Sequence, residues 1–94
     1  MIKYDSEAAL QRLETLSGWA LVNDSIEKKY TFKDFREAIA FMVRASFICE
    51  EMNHHPNWAN VYNRLMIRLS THDAGGLTDK DFKLAEAIDK ILER

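Results

Sequence analysis

The chain has 94 residues, enough for one domain spanning residues 1–94 and too few for two. Hydrophobic residues at 47% and charged residues at 30% describe a globular chain, and a net charge of -2 argues against nucleic acid as the main partner. The lone Cys49 excludes an internal disulfide and a Cys-rich zinc site. With no apolar run near the ~20 residues of a membrane span and no signal-peptide core, the expectation is a cytoplasmic protein without a membrane partner.

The first predicted helix starts near Asp5 or Ser6, both good N-caps, and carries Ala9, Leu10, Leu13 and Leu16 at helical spacing, with Gly18 as its stop. Trp19 to Val22, the turn-forming Asn23-Asp24-Ser25 and Ile26 to Phe32 read as a hairpin. In its second strand Ile26, Lys28, Tyr30 and Phe32 share a face.

Thr31 and Asp34 resemble a capping box and predict the start of a second helix. Phe35, Ile39, Met42 and Cys49 fall on one side of it, with Phe41, Ala45, Ile48 and Met52 beside them. So broad an apolar band predicts a helix covered on two sides, by the sheet and by a second subunit. Pro56 requires the helix to stop near His55.

A strand over Trp58 to Tyr62, a turn at Asn63-Arg64 and a strand over Leu65 to Thr71 follow, with Leu65, Ile67 and Leu69 inward. After the break at Gly75-Gly76, Thr78 and Asp81 form a second capping box. It opens a helix whose stripe is Phe82, Ala85, Ile88 and Leu92. The order α-β-β-α-β-β-α predicts an α+β fold, a four-stranded antiparallel sheet with helices packed on one face.

All three histidines lie in two short segments, Glu50 to Pro56 and Ser70 to Asp73, each where an element ends. His54 and His55 are expected in the last helical turn, where the dipole favours positive charge. Glu50 precedes His54 by four residues and Glu51 precedes His55 by four, so each carboxylate is placed to orient an imidazole. Histidines so held suit general acid-base work. The bland reading stands beside it: helix-end histidines also cap carbonyls, and His72 also suits plain polar surface.

Adjacent His54 and His55 diverge by about 100° on a helix, so no metal site is expected of them. Cys49 reads as core. Trp58 suits either a pocket wall or the core, and Asp81 either a ligand contact or its cap.

Glu50, then after three residues His54-His55-Pro56, then Tyr62, His72 and Asp81, resemble the signature of the pterin-4a-carbinolamine dehydratase family. Phe32-Lys33-Asp34-Phe35, Trp58, Asn60 to Asn63 and Leu69 to His72 extend the likeness, which runs from about Trp19 to the C-terminus. The resemblance implies a cofactor-free hydro-lyase converting 4a-hydroxytetrahydropterin to quinonoid dihydropterin and water, within tetrahydrobiopterin recycling. It implies a homodimer or homotetramer. It places His54, His55 and His72 in the site, with Glu50, Asn53, Trp58, Ser70, Thr71, Asp73 and Asp81 binding substrate or supporting it. On this reading His54 and His72 form the acid-base pair and Glu50 holds His54. Two alternatives attach to the family: a dimerising transcriptional coactivator, and a dehydratase acting on other pterins, including those of molybdenum cofactor synthesis.

Overall fold

A computed structural model describes residues 2–93. The elements are α1 (Ser6–Leu13), β1 (Ala20–Val22), β2 (Ser25–Thr31), α2 (Phe35–Met52), β3 (Asn57–Val61), β4 (Arg64–Leu69), a 3-10 turn (His72–Ala74) and α3 (Asp79–Lys90). The expected α-β-β-α-β-β-α order and the four-stranded antiparallel sheet are both present. The strand order is β1-β2-β4-β3, so the two hairpins meet along β2 and β4.

Alternation sorts β4 as expected. Leu65, Ile67 and Leu69 are buried and pair with Tyr30, Lys28 and Ile26 of β2. These side chains form one core with Ala9, Leu16, Trp19, the inner sides of α2 and α3, and Leu77. Lys28 stands on this apolar side because α3 supplies a counter-ion. Its Nζ lies 2.9 Å from Asp89 Oδ1, and Asp89 also accepts from Tyr30 OH at 2.6 Å and Trp19 Nε1 at 2.9 Å. Three donors from two neighbouring segments thus satisfy one half-buried carboxylate.

Several boundaries differ from the sequence reading. α1 ends at Leu13, and Gly18 takes its φ of 87° on the approach to β1. Leu10 is exposed. Thr31 caps nothing, because it is paired with Arg64 in the sheet. Asp34 is the N-cap instead, its Oδ1 accepting from Glu37 N while Glu37 Oε1 accepts from Lys33 N. On α2, Ala38, Phe41, Ala45 and Cys49 are the buried residues, while Phe35 and Ile39 are exposed. The second hairpin turns at Tyr62-Asn63, with Tyr62 at φ 54° and Asn60 Nδ2 donating to the carbonyls of Tyr62 and Arg64. α3 ends before Leu92, which is exposed, and Leu84 joins Phe82, Ala85 and Ile88 in the core. No helix among the described residues is long and apolar enough to cross a membrane.

Candidate active site

The site begins where α2 stops. Asn53, not His55, ends the helix, adopting the left-handed conformation (φ 50°, ψ 44°) while its N–H reaches the carbonyls of Cys49 and Glu50. His54 N then donates to Cys49 O at 3.0 Å, closing the helix end. The reversal at Asn53 takes both histidines off the helix, so the four-residue spacing to Glu50 and Glu51 no longer applies. His54 turns into the protein and His55 out of it.

The carboxylate partners change accordingly. Glu50 holds His55 and not His54: Glu50 Oε2 and His55 Nε2 lie 2.6 Å apart on the surface. His54, 9% exposed, has Nε2 2.6 Å from Oδ1 of Asp81. Asp81 is the N3 residue of the α3 capping box, which forms as expected with Thr78. It is fully buried, and its Oδ2 accepts from Thr78 N at 3.0 Å and Thr71 Oγ1 at 2.8 Å. Both oxygens are therefore committed inside the protein, and Asp81 faces His54 instead of a ligand. The Thr71 hydroxyl is equally buried, shared between Asp81 and Thr78.

No buried side-chain nitrogen or oxygen among the described residues lacks a partner. His54 Nδ1 bonds to no protein group among the described residues, so it reaches the surface. His54 is thus anchored by one ring nitrogen and open through the other, an arrangement that fixes an imidazole for proton transfer.

Next to it in the chain, His55 lines a cleft of about 290 Å³ with Pro56, Asn57, Ser25, Arg68, Ser70 and His72. His72 stands at the head of the 3-10 turn, which the left-handed Gly75 (φ 70°) and the bridge between Thr71 and Gly76 close. Asp73, also in that turn, is exposed, as is Asn53. Ser70 Oγ donates to Asp24 O at 3.0 Å, tying the cleft to the β1–β2 turn. Trp58 does not line this cleft. It packs against the core and lines a second groove of about 300 Å³ with Phe47, Cys49, Glu50, His55 and Pro56. His55 and Pro56 therefore form the wall between a polar cleft and an apolar groove. A larger groove of about 560 Å³, near Tyr4 and Lys80, contains none of the histidines.

Ser25, Asn57 and Arg68 were not singled out from the sequence. Arg68 enters the cleft because β4 lies between β2 and β3, placing it opposite both Glu27 and Asn57. Its Nε and Nη2 both lie 2.7 Å from Glu27 Oε2. The outward alternation of β4 was a signal for Arg68, but its register against β2 and β3 was not visible. Among the described residues no cluster of three or more metal-ligating side chains forms.

The family model for Pterin 4 alpha carbinolamine dehydratase matches residues 2–91. A relative from Opitutus terrae, provisionally named a pterin-4-alpha-carbinolamine dehydratase, is 57% identical over 82 residues, covering 86% of this chain and 84% of its own. One from Sinorhizobium medicae with the same provisional name is 50% identical, covering 97% and 89%. The crystal structure of a transcriptional coactivator/pterin dehydratase from Brucella melitensis superposes with a TM-score of 0.92 at 35% identity, covering 96% of this chain and 98% of that one. With the histidine segments, the capping-box aspartate and the fold in agreement, the chain belongs to the pterin-4a-carbinolamine dehydratase family of hydro-lyases.

Proposed function

We propose that the protein dehydrates a 4a-hydroxytetrahydropterin to the quinonoid dihydropterin, with His54, His55 and His72 as its acid-base groups. The observation that carries this reading is the held state of His54, with Nε2 on buried Asp81 and Nδ1 without a protein partner, next in the chain to His55, which shares a cleft with His72. Loss of water needs a proton delivered to the 4a-hydroxyl and another taken from the adjacent ring nitrogen. No bond to the protein forms, so positioned imidazoles suffice, and such groups contribute about 10²–10⁴-fold. His54 and His72 form the working pair, and His55, oriented by Glu50, positions substrate or takes the place of either.

A flat bicyclic ring in the cleft lies against His55, His72 and Ser70, while the Trp58 indole stands behind the His55–Pro56 wall in the neighbouring groove. Asn53 and Asp73 lie exposed nearby in sequence to receive its polar edge. Arg68 joins them as a wall of the cleft. The quinonoid product would pass to a reductase, which places the enzyme in tetrahydropterin recycling.

Association into a dimer or tetramer is the companion proposal. Phe35, Ile39, Val43 and Phe47 repeat every four residues along α2 and are 45%, 38%, 50% and 67% exposed. That ladder suits burial against another subunit. A coactivator role, carried in the name of the Brucella protein, would draw on the same side of α2.

The test is the rate of 4a-hydroxytetrahydropterin dehydration, followed by ultraviolet absorbance, for the parent protein and for His54→Ala. Acceleration by the parent and its loss in the variant support the reading. A folded parent that does not accelerate the reaction overturns it.

A further inference from the structure

We propose that Thr71 is a positioning residue for the reaction: its hydroxyl, held by Thr78, orients Asp81 so that His54 carries its proton on Nε2 and presents a bare Nδ1 to the substrate. This deepens the dehydratase reading and rests on His54 acting in proton transfer.

The hydrogen-bond order follows from the donors available. Thr78 Oγ1 accepts the Lys80 N–H at 3.3 Å, leaving its own hydrogen for Thr71 Oγ1 at 2.8 Å. Thr71 in turn donates to Asp81 Oδ2 at 2.8 Å. Thr78 N–H donates to the same oxygen at 3.0 Å. Oδ2 is then saturated, and Oδ1 receives the one remaining partner, His54 Nε2 at 2.6 Å. With two donors already on the carboxylate, the proton of the short third bond resides on the imidazole. Such charge-assisted bonds are the strong ones and hold orientation tightly.

Helix capping does not explain Thr71. The capping box needs only Thr78 and Asp81, and it is complete without a third member. Thr71 lies outside α3, just after β4; the residue is 5% exposed, and both partners of its hydroxyl lie inside the protein. What it adds is a second donor on the oxygen of Asp81 that does not touch His54. The same residue also sets the turn bearing His72, since Thr71 O accepts from Ala74 N at 3.1 Å and Thr71 pairs with Gly76. One residue thereby ties the buried support of His54 to the backbone that carries His72.

Thr71→Val keeps the shape and removes the hydroxyl, while Thr71→Ser keeps the hydroxyl. Valine is expected to lower kcat about tenfold, the scale of one hydrogen bond to a charged group, with KM within about twofold. Serine is expected to restore kcat to within about threefold of the parent. Nitrogen-15 spectra of the histidine rings supply an independent reading: His54 in the parent shows a protonated Nε2 and a bare Nδ1, and the valine variant shows both tautomers. A parental kcat in Thr71→Val, or no recovery with serine, overturns the proposal. So does a parent His54 protonated on Nδ1, a result readable even if Thr71→Val does not fold. If the parent shows the Nε2 tautomer yet no dehydration, the orientation stands and the dehydratase reading falls instead.

Discussion

His54 and Asp81, 27 residues apart, meet at 2.6 Å through a carboxylate that also caps α3. The last helix and the catalytic candidate are therefore stabilised by the same side chain, and disturbing one disturbs the other. Replacing Asp81 by Asn separates the two roles. An amide oxygen can still accept from Thr78 N–H and Thr71, but the amide then turns an N–H toward His54 Nε2 and favours the wrong imidazole tautomer. The expected result is a loss in kcat on the order of 10²–10⁴-fold, with the fold retained by circular dichroism. Asp81→Ala is expected to cost about 3–5 kcal/mol in chemical denaturation, since it leaves buried partners unpaired.

His55 and His72 are exposed, and neither packs in the core. Replacing either with Ala should change stability by less than about 0.5 kcal/mol. Each should nevertheless lower kcat/KM at least tenfold if the cleft is the reaction site, an expected effect on the scale of a lost acid-base group. Steady-state kinetics paired with urea unfolding separates the two effects.

Tyr30 predicts how stability responds to alkali. Burial, then its hydrogen bond to Asp89, raises the phenol well above its ordinary 10.0. Above about pH 10 the unfolded chain releases this proton while the folded protein keeps it, so unfolding is favoured. The stabilisation is complete below that pH and declines as pH rises further. Tyr30→Phe should flatten the decline between about pH 9 and about pH 11 in denaturation midpoints. Asp89→Ala, which strands Trp19, Lys28 and Tyr30 together, should cost about 2–4 kcal/mol at neutral pH.

Cys49 is expected to be inert in the folded protein. It is 1% exposed, and burial raises its thiol above the ordinary value, so little thiolate is present to react. A thiol-reactive dye should label it only as the protein unfolds, at the rate of unfolding. Rapid labelling under native conditions would show that this part of α2 opens.

The sequence by itself determined what depends on near neighbours. The Thr78–Asp81 capping box spans three residues, and the alternation of Leu65, Ile67 and Leu69 is a property of one strand, so both were legible and both formed. The clustering of histidines at element ends was legible for the same reason. Tertiary structure alone decided which groups meet across the chain. Asn53, by turning left-handed, moved His54 and His55 off the helix and exchanged the carboxylate expected for His54. The order of the sheet set Arg68 beside Glu27 and Asn57, and α3 brought Asp89 to the otherwise misplaced Lys28. A single residue's backbone angle and the register of paired strands leave no periodic trace in a sequence, yet they set the direction of every side chain that follows.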